Sequence, residues 1–466
     1  MPRLPLLPLA ALCGLLLAAC SLAPAYHRPD APIPSAYPEG GLQETSASAE
    51  LFAWKDFFPD PVLRRLLDTA LVHNRDLRIA LLNIELTRAQ YRIQRADLLP
   101  TISAAGQESA QLTPANMNSL GVRGISRQYS AALGFASFEL DLFGRVRNLS
   151  QQALETFRSV EDDARSAQIS LLAEVAAVYL QLVSDRELYD ITRRTHEARK
   201  AQYLLVRDKY AAGVASDLEA QQARGIMEEA RANAARYAAR AGQDENALAL
   251  LLGSPLPPDL PEIRRLGDVI RLPDVPEGLP SDLLERRPDV QAAEHLLKGY
   301  NANIGAARAN FFPSISLTGT LGSLSLEFDD LFTSGQHTWS FLPQITLPIF
   351  DLGRNIARLD AAAAQRDIAV AAYEKTIQTA FREVGDALVQ RAHMTEQLDA
   401  DAATVDAARR GYDLARRRYD VGVDSYLNVL NAEHTLYSAQ QNYVGSLLLR
   451  ETNALALYKA LGGGWR

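Results

Sequence analysis

The sequence is poor in cysteine, with only two among 466 residues, Cys13 and Cys20. Cys13 lies in an apolar N-terminal run that we expect to be removed, so the mature chain can form no internal disulfide. The seven histidines are scattered, and none has the spacing of a metal site. Glycine-rich motifs that bind phosphates are also missing. These absences predict a protein without a metal, a cofactor or an enzyme active site.

Concentrated positive charge is missing as well. The net charge is −8, and the 48 basic residues are spread along the chain instead of being interleaved with aromatic side chains. This distribution excludes nucleic acid as a partner. Hydrophobic residues make up 47% of the chain, as is normal for a folded protein, and the length allows two or three ordinary domains.

Residues 1–19 predict a signal peptide of the lipoprotein type. Arg3 and the amino terminus supply positive charge, and residues 4–17 are almost wholly apolar. A retained transmembrane anchor is the alternative, but prolines and small residues within this stretch favour processing. The sequence LAAC at 17–20 resembles the bacterial lipoprotein signal, in which the cysteine, here Cys20, is lipidated. Ser21 follows it where retention in the inner membrane typically uses Asp, so this resemblance favours the outer membrane.

Most of the remaining chain consists of two copies of one plan. Residues 76–106 align without gaps to 289–319, so that ADLLPTISAAG in the first copy answers ANFFPSISLTG in the second. Further on, KYAAGVASDL at 209–218 matches RYDVGVDSYL at 418–427. Each copy reads as a helix, two extended segments, a very long helix, a glycine turn and another long helix. The stretch between the copies is rich in proline and glycine, which predicts a linker.

These patterns divide the chain into five parts. They are a signal peptide at 1–19, an N-terminal extended segment at 20–60, a first repeat at 61–253, a linker at 254–288 and a second repeat at 289–464. We predict strands at 101–112 and 128–143 in the first repeat and at 314–326 and 339–350 in the second. The helical hairpins turn at Gly213 and Gly422.

The long helices are predicted from the absence of proline and from the spacing of the apolar residues. No proline occurs between residues 145 and 212, where apolar residues recur on average every 3.6 residues. Such a helix would extend roughly 100 Å at ~1.5 Å per residue, more than a compact domain accommodates. Alanine-rich stretches such as 361–364 let neighbouring helices approach closely, as in a coiled bundle or cylinder.

The extended segments have the alternation of strands with one wet face. Ile315 and Leu317 point to one side of the third segment, and Ser316 and Thr318 point to the other. An ordinary soluble hairpin is the alternative for any single pair. All four segments, however, have the length that crosses a bilayer when tilted. Four strands cannot close a barrel, which needs at least ~8, so the chain must assemble with copies of itself. The fold class predicted is mainly α with a membrane β-barrel portion.

Several segments resemble one known family. They are RAQYRIQRADLLP (88–100), FELDLFGR (138–145), LPSDLLERRPDV (279–290), NIGAARANFFPSISLTG (303–319), TIQTAFREV (376–384) and LYKALGGGW (457–465). They are similar to the TolC-like outer-membrane factors, and most closely to the OprM branch of lipoproteins that serve resistance-nodulation-division efflux pumps.

This resemblance implies a homotrimer. Its 12-stranded barrel would lie in the outer membrane, and its helices would form a tapered tube across the periplasm. The tube would meet a periplasmic adaptor and an inner-membrane pump of the resistance-nodulation-division type. The implied function is that of a passive exit duct for a multidrug efflux pump.

The resemblance also implies where the duct closes. The turns at Gly213, Val214, Gly422 and Val423 correspond to the tips that contact the adaptor. The residues carried over to the gate are Leu218, Glu219, Tyr419, Leu427, Asn428 and Asn431.

The second turn departs from the family at two places. Asn428 and Asn431 stand where many members have aspartates, and Asp424 stands where TolC has an arginine. Glu219 remains as an acid for the pore. A purely local role is the alternative for these residues, since glycine commonly ends a helix and an acid commonly sits near a helix start.

Other functions remain open at this level. A duct for secreted polypeptides or for metal ions would share the same fold. A periplasmic coiled-coil lipoprotein that only scaffolds the envelope belongs to a different class, and it would need no strands facing lipid.

Overall fold

A computed structural model describes residues 21–34, 54–117, 122–258, 266 and 287–463. The predicted signal peptide at 1–19, Cys20 and most of the predicted linker at 254–288 lie outside these residues. Within the described parts, the elements in chain order are α1 (Trp54–Phe57), α2 (Pro61–His73), α3 (Arg75–Ala96), β1 (Ser103–Thr113), β2 (Gly124–Leu140), α4 (Arg145–Ala211), α5 (Asp217–Leu252), α6 (Pro288–Ala309), β3 (Ser314–Ser325), β4 (His337–Thr346), α7 (Arg354–Asp420) and α8 (Tyr426–Ala460).

The chain forms two compact units. The described residues of the first fall within Met1–Asp30, Asn83–Val160 and Ala292–Tyr373, and those of the second within Ala31–Leu82, Glu161–Gln291 and Glu374–Arg466. The segment predicted as extended up to residue 60 contains the short helix α1 near its end. Asp60 caps the following helix by accepting hydrogen bonds from the backbone N–H groups of Val62 and Leu63.

The first unit contains one antiparallel sheet of four strands in the order β1-β2-β3-β4. Strand β2 of the first repeat pairs with β3 of the second over Tyr129↔Ser325 to Leu140↔Ile315, so the two hairpins share one sheet. A bulge interrupts this pairing between Phe135 and Phe138, with Ser137 at φ 54°. Among the described residues, β1 pairs with β2 alone and β4 with β3 alone, so both outer strands are open edges there.

The register assigns the side chains of this sheet to two chemically different faces. One cross-strand row contains Ala104, Leu133, Leu321 and Trp339, and rows nearer the start of β3 add Leu317, Phe341, Ile315 and Ile345. The side chains of the rows between them point to the opposite face. They include serine, threonine, glutamine and small residues, for example Gln107 opposite Ser130 and Thr320 opposite Ser340. The alternation predicted from the sequence is therefore clearest along β3 and at Leu133 of β2, whereas the same face farther along β1 and β2 includes Glu108 and Arg127.

The strand ends differ from the predicted ones for local reasons. Strand β2 stops at Leu140 instead of 143 because the Asp141 carboxylate accepts hydrogen bonds from the backbone N–H groups of Val146 and Arg147 and so starts α4. Strand β4 stops at Thr346 instead of 350. Pro348 follows, and proline cannot donate to a strand ladder.

The second unit is helical, and its main core joins α1 and α2 to α4, α5 and α8. Leu66, Leu172, Leu180 and Leu248 are fully buried there. The ring of Phe57 stacks on that of Tyr458 at 4.4 Å, which ties the start of the described helices to the last one. Helices α4 and α7 each contain 67 residues, which agrees with the very long helices that the sequence predicts.

Helix α4 includes an 18-residue window apolar enough to cross a membrane, with a mean hydropathy of 1.5. Within the protein, 56% of that window is buried. Leu172, Val175, Ala176 and Leu180 belong to the core of the second unit. The apolar character of this stretch is thus explained by helix packing.

Candidate functional site

The two helical turns predicted as tips share one backbone geometry. In the first, the Val214 N–H donates to the Lys209 carbonyl at 2.9 Å, and the Gly213 N–H donates to the Tyr210 carbonyl at 2.9 Å. The second repeats both bonds at 2.9 Å, from Val423 to Arg418 and from Gly422 to Tyr419. This pair of backbone hydrogen bonds is the Schellman motif, which requires a residue in the left-handed conformation after the helix. Gly213 and Gly422 supply it, with φ of 76° and 78°.

The polar groups that start the returning helix differ between the turns. In the first turn, the Ser216 hydroxyl accepts from the Glu219 N–H at 3.2 Å, and the Glu219 carboxylate accepts from the Ser216 N–H at 2.8 Å. This reciprocal pair is a capping box. Glu219, predicted as an acid at the pore, is therefore engaged locally within the chain.

An ionic pair replaces the capping box in the second turn. Ser425 stands at the corresponding position, but its side chain makes no capping hydrogen bond. The Arg418 guanidinium instead donates to Asp424 Oδ2 at 2.6 Å, and the Asn428 amide donates to Asp424 Oδ1 at 3.1 Å. The hydrogen bond from Arg418 lowers the pKa of the Asp424 carboxyl. Asn428, which the resemblance placed at the gate, thus donates to Asp424 of the same turn.

Tyr419 links the two hairpins. Its hydroxyl accepts a hydrogen bond from Lys209 Nζ at 3.1 Å, and the same ammonium lies 4.9 Å from the centre of its ring. On its other side the ring lies 5.4 Å from that of Tyr426. Tyr419 therefore contacts both the first hairpin, through Lys209, and the start of α8.

The remaining predicted tip and gate residues are open within one chain. Exposed fractions are 78% for Val214, 66% for Leu218, 64% for Val423 and 51% for Leu427. The Asn431 side chain is also exposed. The chain brings Tyr419, Asp424 and Asn428 into direct contact with neighbours, whereas these apolar residues are free to contact another molecule.

A small core lies beneath both turns. Val206 of α4, Ala223 of α5 and Val429 and Leu430 of α8 are buried together, with Tyr426 beside them. Burial raises the pKa of the Tyr426 hydroxyl, and the charge of Glu433 adds to this effect. The turns therefore rest on helices from both repeats.

Arg199 is a buried charge that the sequence reasoning missed. Its side chain is 1% exposed and lies 3.2 Å from Glu433 and 3.6 Å from Glu229. It also donates to the Ile226 carbonyl at 3.0 Å, so it joins α4, α5 and α8. One signal was present: Thr192, Arg199 and Val206 recur every seven residues and all are buried, which places a charge on a coiled-coil seam.

A second missed feature is a pair of acids between α4 and α5. Asp185 is 2% exposed, and Gln181 donates to one of its oxygens at 3.1 Å. Burial raises the pKa of Asp244 to about 7, and the charge and hydrogen bond of Asp185 add to the rise. Their distance of 59 positions in the sequence gave no signal of this contact.

The residues that follow Cys20 are bound along α6. Ser21 donates to Asn148 at 3.0 Å, Arg308 donates to the Leu22 carbonyl at 3.1 Å, and Asn301 donates to the Pro24 carbonyl at 2.8 Å. Arg28 ends this segment with a 2.7 Å ion pair to Glu294. We call residues 21–28 the N-terminal strap.

The strap has a fixed direction on α6. Its later residues contact Glu294, and its earlier residues contact Arg308, near the helix end that leads to β3. Gly305 permits the close contact, since a Cβ there would lie 2.6 Å from the Ala23 nitrogen. Burial opposes ionisation of Glu294, but hydrogen bonds from Arg28 and Lys298 lower its pKa to about 2. The first described residue of the strap, Ser21, therefore lies at the end of α6 that leads to the sheet.

The fold and these turns define the class of protein. A sheet with one apolar and one polar face suits a wall between lipid and water, and its strands connect directly to long paired helices. This is the architecture of an outer-membrane channel.

Comparison with known proteins gives the family. The family model described as outer membrane efflux protein matches residues 66–254 and 279–463. The chain is 51% identical over 459 residues to the probable efflux pump outer membrane protein TtgC of Pseudomonas putida, covering 98% of this chain and 95% of that protein. It is 43% identical to the outer membrane protein OprJ of Pseudomonas aeruginosa, with coverage of 98% and 95%. The chain belongs to the outer membrane efflux protein family.

A solved structure agrees with this assignment. The open state of the Neisseria gonorrhoeae MtrE outer membrane channel is 39% identical, with a TM-score of 0.87, and the match covers 96% of this chain and 99% of that one. The predicted family, the predicted fold class of a mainly α chain with a membrane β-barrel portion, and the predicted outer-membrane location are confirmed. The chain is the outer-membrane channel component of an efflux pump.

Proposed function

We propose that three copies of this chain form a passive exit duct that is closed at its helical turns and has no enzyme activity. The observation that carries this proposal is the sheet, which has a polar and an apolar face but two open edge strands. Unpaired backbone groups at such edges cannot remain in lipid. Three chains with four strands each give 12, enough for a closed barrel, which needs at least ~8.

The apolar surface at one edge supports assembly. Beyond β4, Ile349 is 93% exposed, Phe350 82% and Leu352 87%. Near β1, at the opposite edge, Leu99 and Ile102 are 72% and 73% exposed. Contact between these two surfaces of neighbouring copies would be heterologous, and such contacts form a ring when the rotation between copies closes.

The first repeat covers its own equivalent of the β4 surface. Leu142 and Phe143 of DLFGR are half-buried, and the ring of Phe143 stacks on that of Phe312 at 4.7 Å. DLGR in the second repeat is one residue shorter, and its Leu352 is almost fully open. This difference favours a neighbouring copy as the cover of the second-repeat surface.

Lipid on Cys20 is the second part of the proposal. The strap holds the following residue, Ser21, against Asn148 at the start of α4, close in sequence to the end of β2. A lipid at this place reaches the membrane without a long tether. We expect the lipid to aid anchoring without being essential, because a closed barrel already holds the protein in the bilayer.

The partners proposed are a periplasmic adaptor and an inner-membrane pump of the resistance-nodulation-division type. The exposed valines of both turns, Val214 and Val423, offer the adaptor matching apolar contacts. Relatives are named as toluene, solvent and antibiotic efflux proteins, which supports small organic molecules as cargo over polypeptides or metal ions.

Oligomer mass and conductance test the proposal together. Purified protein should have the mass of three chains plus lipid on Cys20, and it should conduct ions in a planar bilayer. A Cys20→Ser variant behind a non-lipoprotein signal should still form trimers in the outer membrane. A monomer that conducts no ions would support the envelope scaffold instead, whereas loss of the Cys20→Ser variant from the membrane would contradict only the accessory role of the lipid.

A further inference from the structure

The apolar face of the sheet has a depression where the start of β1, the middle of β2 and the last part of β3 lie side by side. Small side chains make its floor, and their cross-strand partners place them on three adjacent strands: Ala104 and Gly106 on β1, Ala131 on β2 and Ser323 on β3. The depression has a volume of about 630 Å³, within the range of ligand pockets.

Larger side chains form its borders. Leu133 and Leu321 stand on the side toward the middle of the sheet, while Phe332 and His337 stand on the other. Leu133 and Leu321 are 59% and 67% exposed. They share a cross-strand row with Trp339. The depression is therefore continuous with the band of side chains that faces lipid.

The loop between β3 and β4 folds back over this face. The ring of Phe328 meets that of Tyr129 edge to face at 5.6 Å, and Leu331 is 5% exposed. Tyr129 pairs directly with Ser325, which is also buried. This packing holds Phe332, 78% exposed, at the border of the depression.

The chain leaves the depression unfilled at Gly106. A Cβ placed there would find its nearest atom, the Ser130 carbonyl oxygen, at 4.0 Å. Gly322 is different, because its row, with Ala132, belongs to the opposite face, and a Cβ there would lie 2.1 Å from the Ala131 carbonyl oxygen. Gly322 thus has a packing reason to lack a side chain, whereas Gly106 borders open space.

We propose that this depression, which we call the acyl groove, binds one hydrocarbon chain of an outer-leaflet lipid. The inference rests on the proposed duct: its helices lie in the periplasm, so the β3–β4 loop, at the end of β3 away from α6, is on the cell exterior. Its walls continue the lipid-facing band, so hydrocarbon is the surrounding solvent, and Phe332 makes a border that retains a chain. The β3–β4 loop carries three acids, Glu327, Asp329 and Asp330, whose charge disfavours a phosphate beside the loop, so the tail is the part recognised.

Filling the groove tests this inference. Gly106→Leu places a side chain in the open space, and the neighbouring Ala105→Leu places the same side chain on the opposite, polar face as a matched control. Native mass spectrometry of purified protein supplied with dimyristoyl phosphatidylethanolamine counts the retained lipids. We expect Gly106→Leu to retain one lipid fewer per chain than wild type, and Ala105→Leu to retain the same number as wild type.

Equal lipid retention by Gly106→Leu and wild type would overturn the proposal. Conductance distinguishes failure of the groove proposal from failure of the duct. Gly106→Leu should conduct like wild type, whereas failure of the duct would mean that neither the wild type nor the two variants conduct.

Discussion

The helical hairpin of the first repeat and that of the second have the same backbone but different polar chemistry. Their first helices contain 67 residues each, and their second helices contain 36 and 35. Both turns use the same Schellman bonds. The first turn then closes with a capping box, and the second with the Arg418–Asp424 pair. An exposed ion pair is weakened by water and salt, so the second turn is the one more readily opened.

The largest effect should come from the charge that joins the hairpins. Arg199→Met leaves Glu433, whose side chain is 14% exposed, without its partner, and breaking a buried pair costs about 3–5 kcal/mol. We expect a matching loss in the free energy of unfolding, measured by denaturant titration. Arg194→Met is the control, because that side chain is 74% exposed and pairs with Asp190; its loss should stay below about 1 kcal/mol. Equal losses would mean that Arg199 does not couple the hairpins.

Ion block should distinguish the acids of the two turns. A ring of carboxylates in a narrow pore attracts cations and holds multivalent ones tightly. We expect weak block of the wild type by trivalent cations, about tenfold tighter block after Asn431→Asp, and loss of most residual cation preference after Glu219→Gln. Single-channel recording measures all three. A wild type blocked as tightly as Asn431→Asp would mean that the acids controlling entry lie elsewhere.

The acid pair of the first hairpin should make that hairpin sensitive to pH. Asp185 aligns with Met394 when the two 67-residue helices are matched from their first residues, Arg145 and Arg354. The pKa of Asp244 is raised from 3.8 to about 7 in the folded protein, so the folded state binds the proton more tightly than the unfolded state. Stability is then full at low pH and is lost as the pH rises through about 7.

Thermal unfolding at two pH values tests this sign. Gln181, Arg186, Arg240 and Glu245 also lie near the pair, so a neutral variant is needed to isolate it. We expect a higher midpoint at pH 6 than at pH 8, with Asp244→Asn removing most of the difference. A wild-type midpoint that rises between these values would show that folding does not raise the pKa of Asp244.

The smallest effect on stability should come from the residues that precede the returning helices, Ser216 in the first turn and Ser425 in the second. Ser216→Ala removes a hydroxyl that accepts from the Glu219 N–H, and loss of such a cap costs about 1 kcal/mol. Ser425→Ala removes no side-chain capping bond. Parallel denaturation of both variants should show a loss only for Ser216→Ala. A loss of the same size for Ser425→Ala would reveal that the two turns are capped alike.

Features repeated along the chain could be predicted from the sequence. Proline-free runs, alternation and duplicated glycine turns predicted the long helices, the four strands and Gly213 and Gly422. Contacts between distant residues could not be predicted. Arg199 meets Glu433, 234 positions away, and the contact of Asn428 with Asp424 depends on side-chain geometry. The engagement of Glu219, by contrast, follows the S-x-x-E spacing of a capping box from Ser216, a signal that the prediction did not use. The roles predicted for the gate residues stay predictions.

Single-channel recording of Asp424→Ala beside Ser216→Ala tests the central claim, a duct that is closed at turns of unequal strength. The wild type should open rarely. Asp424→Ala frees Arg418 and Asn428 and should raise the open probability clearly, whereas Ser216→Ala should change it little. Equal behaviour of the two variants, or no conductance from any of the three proteins, would contradict the account.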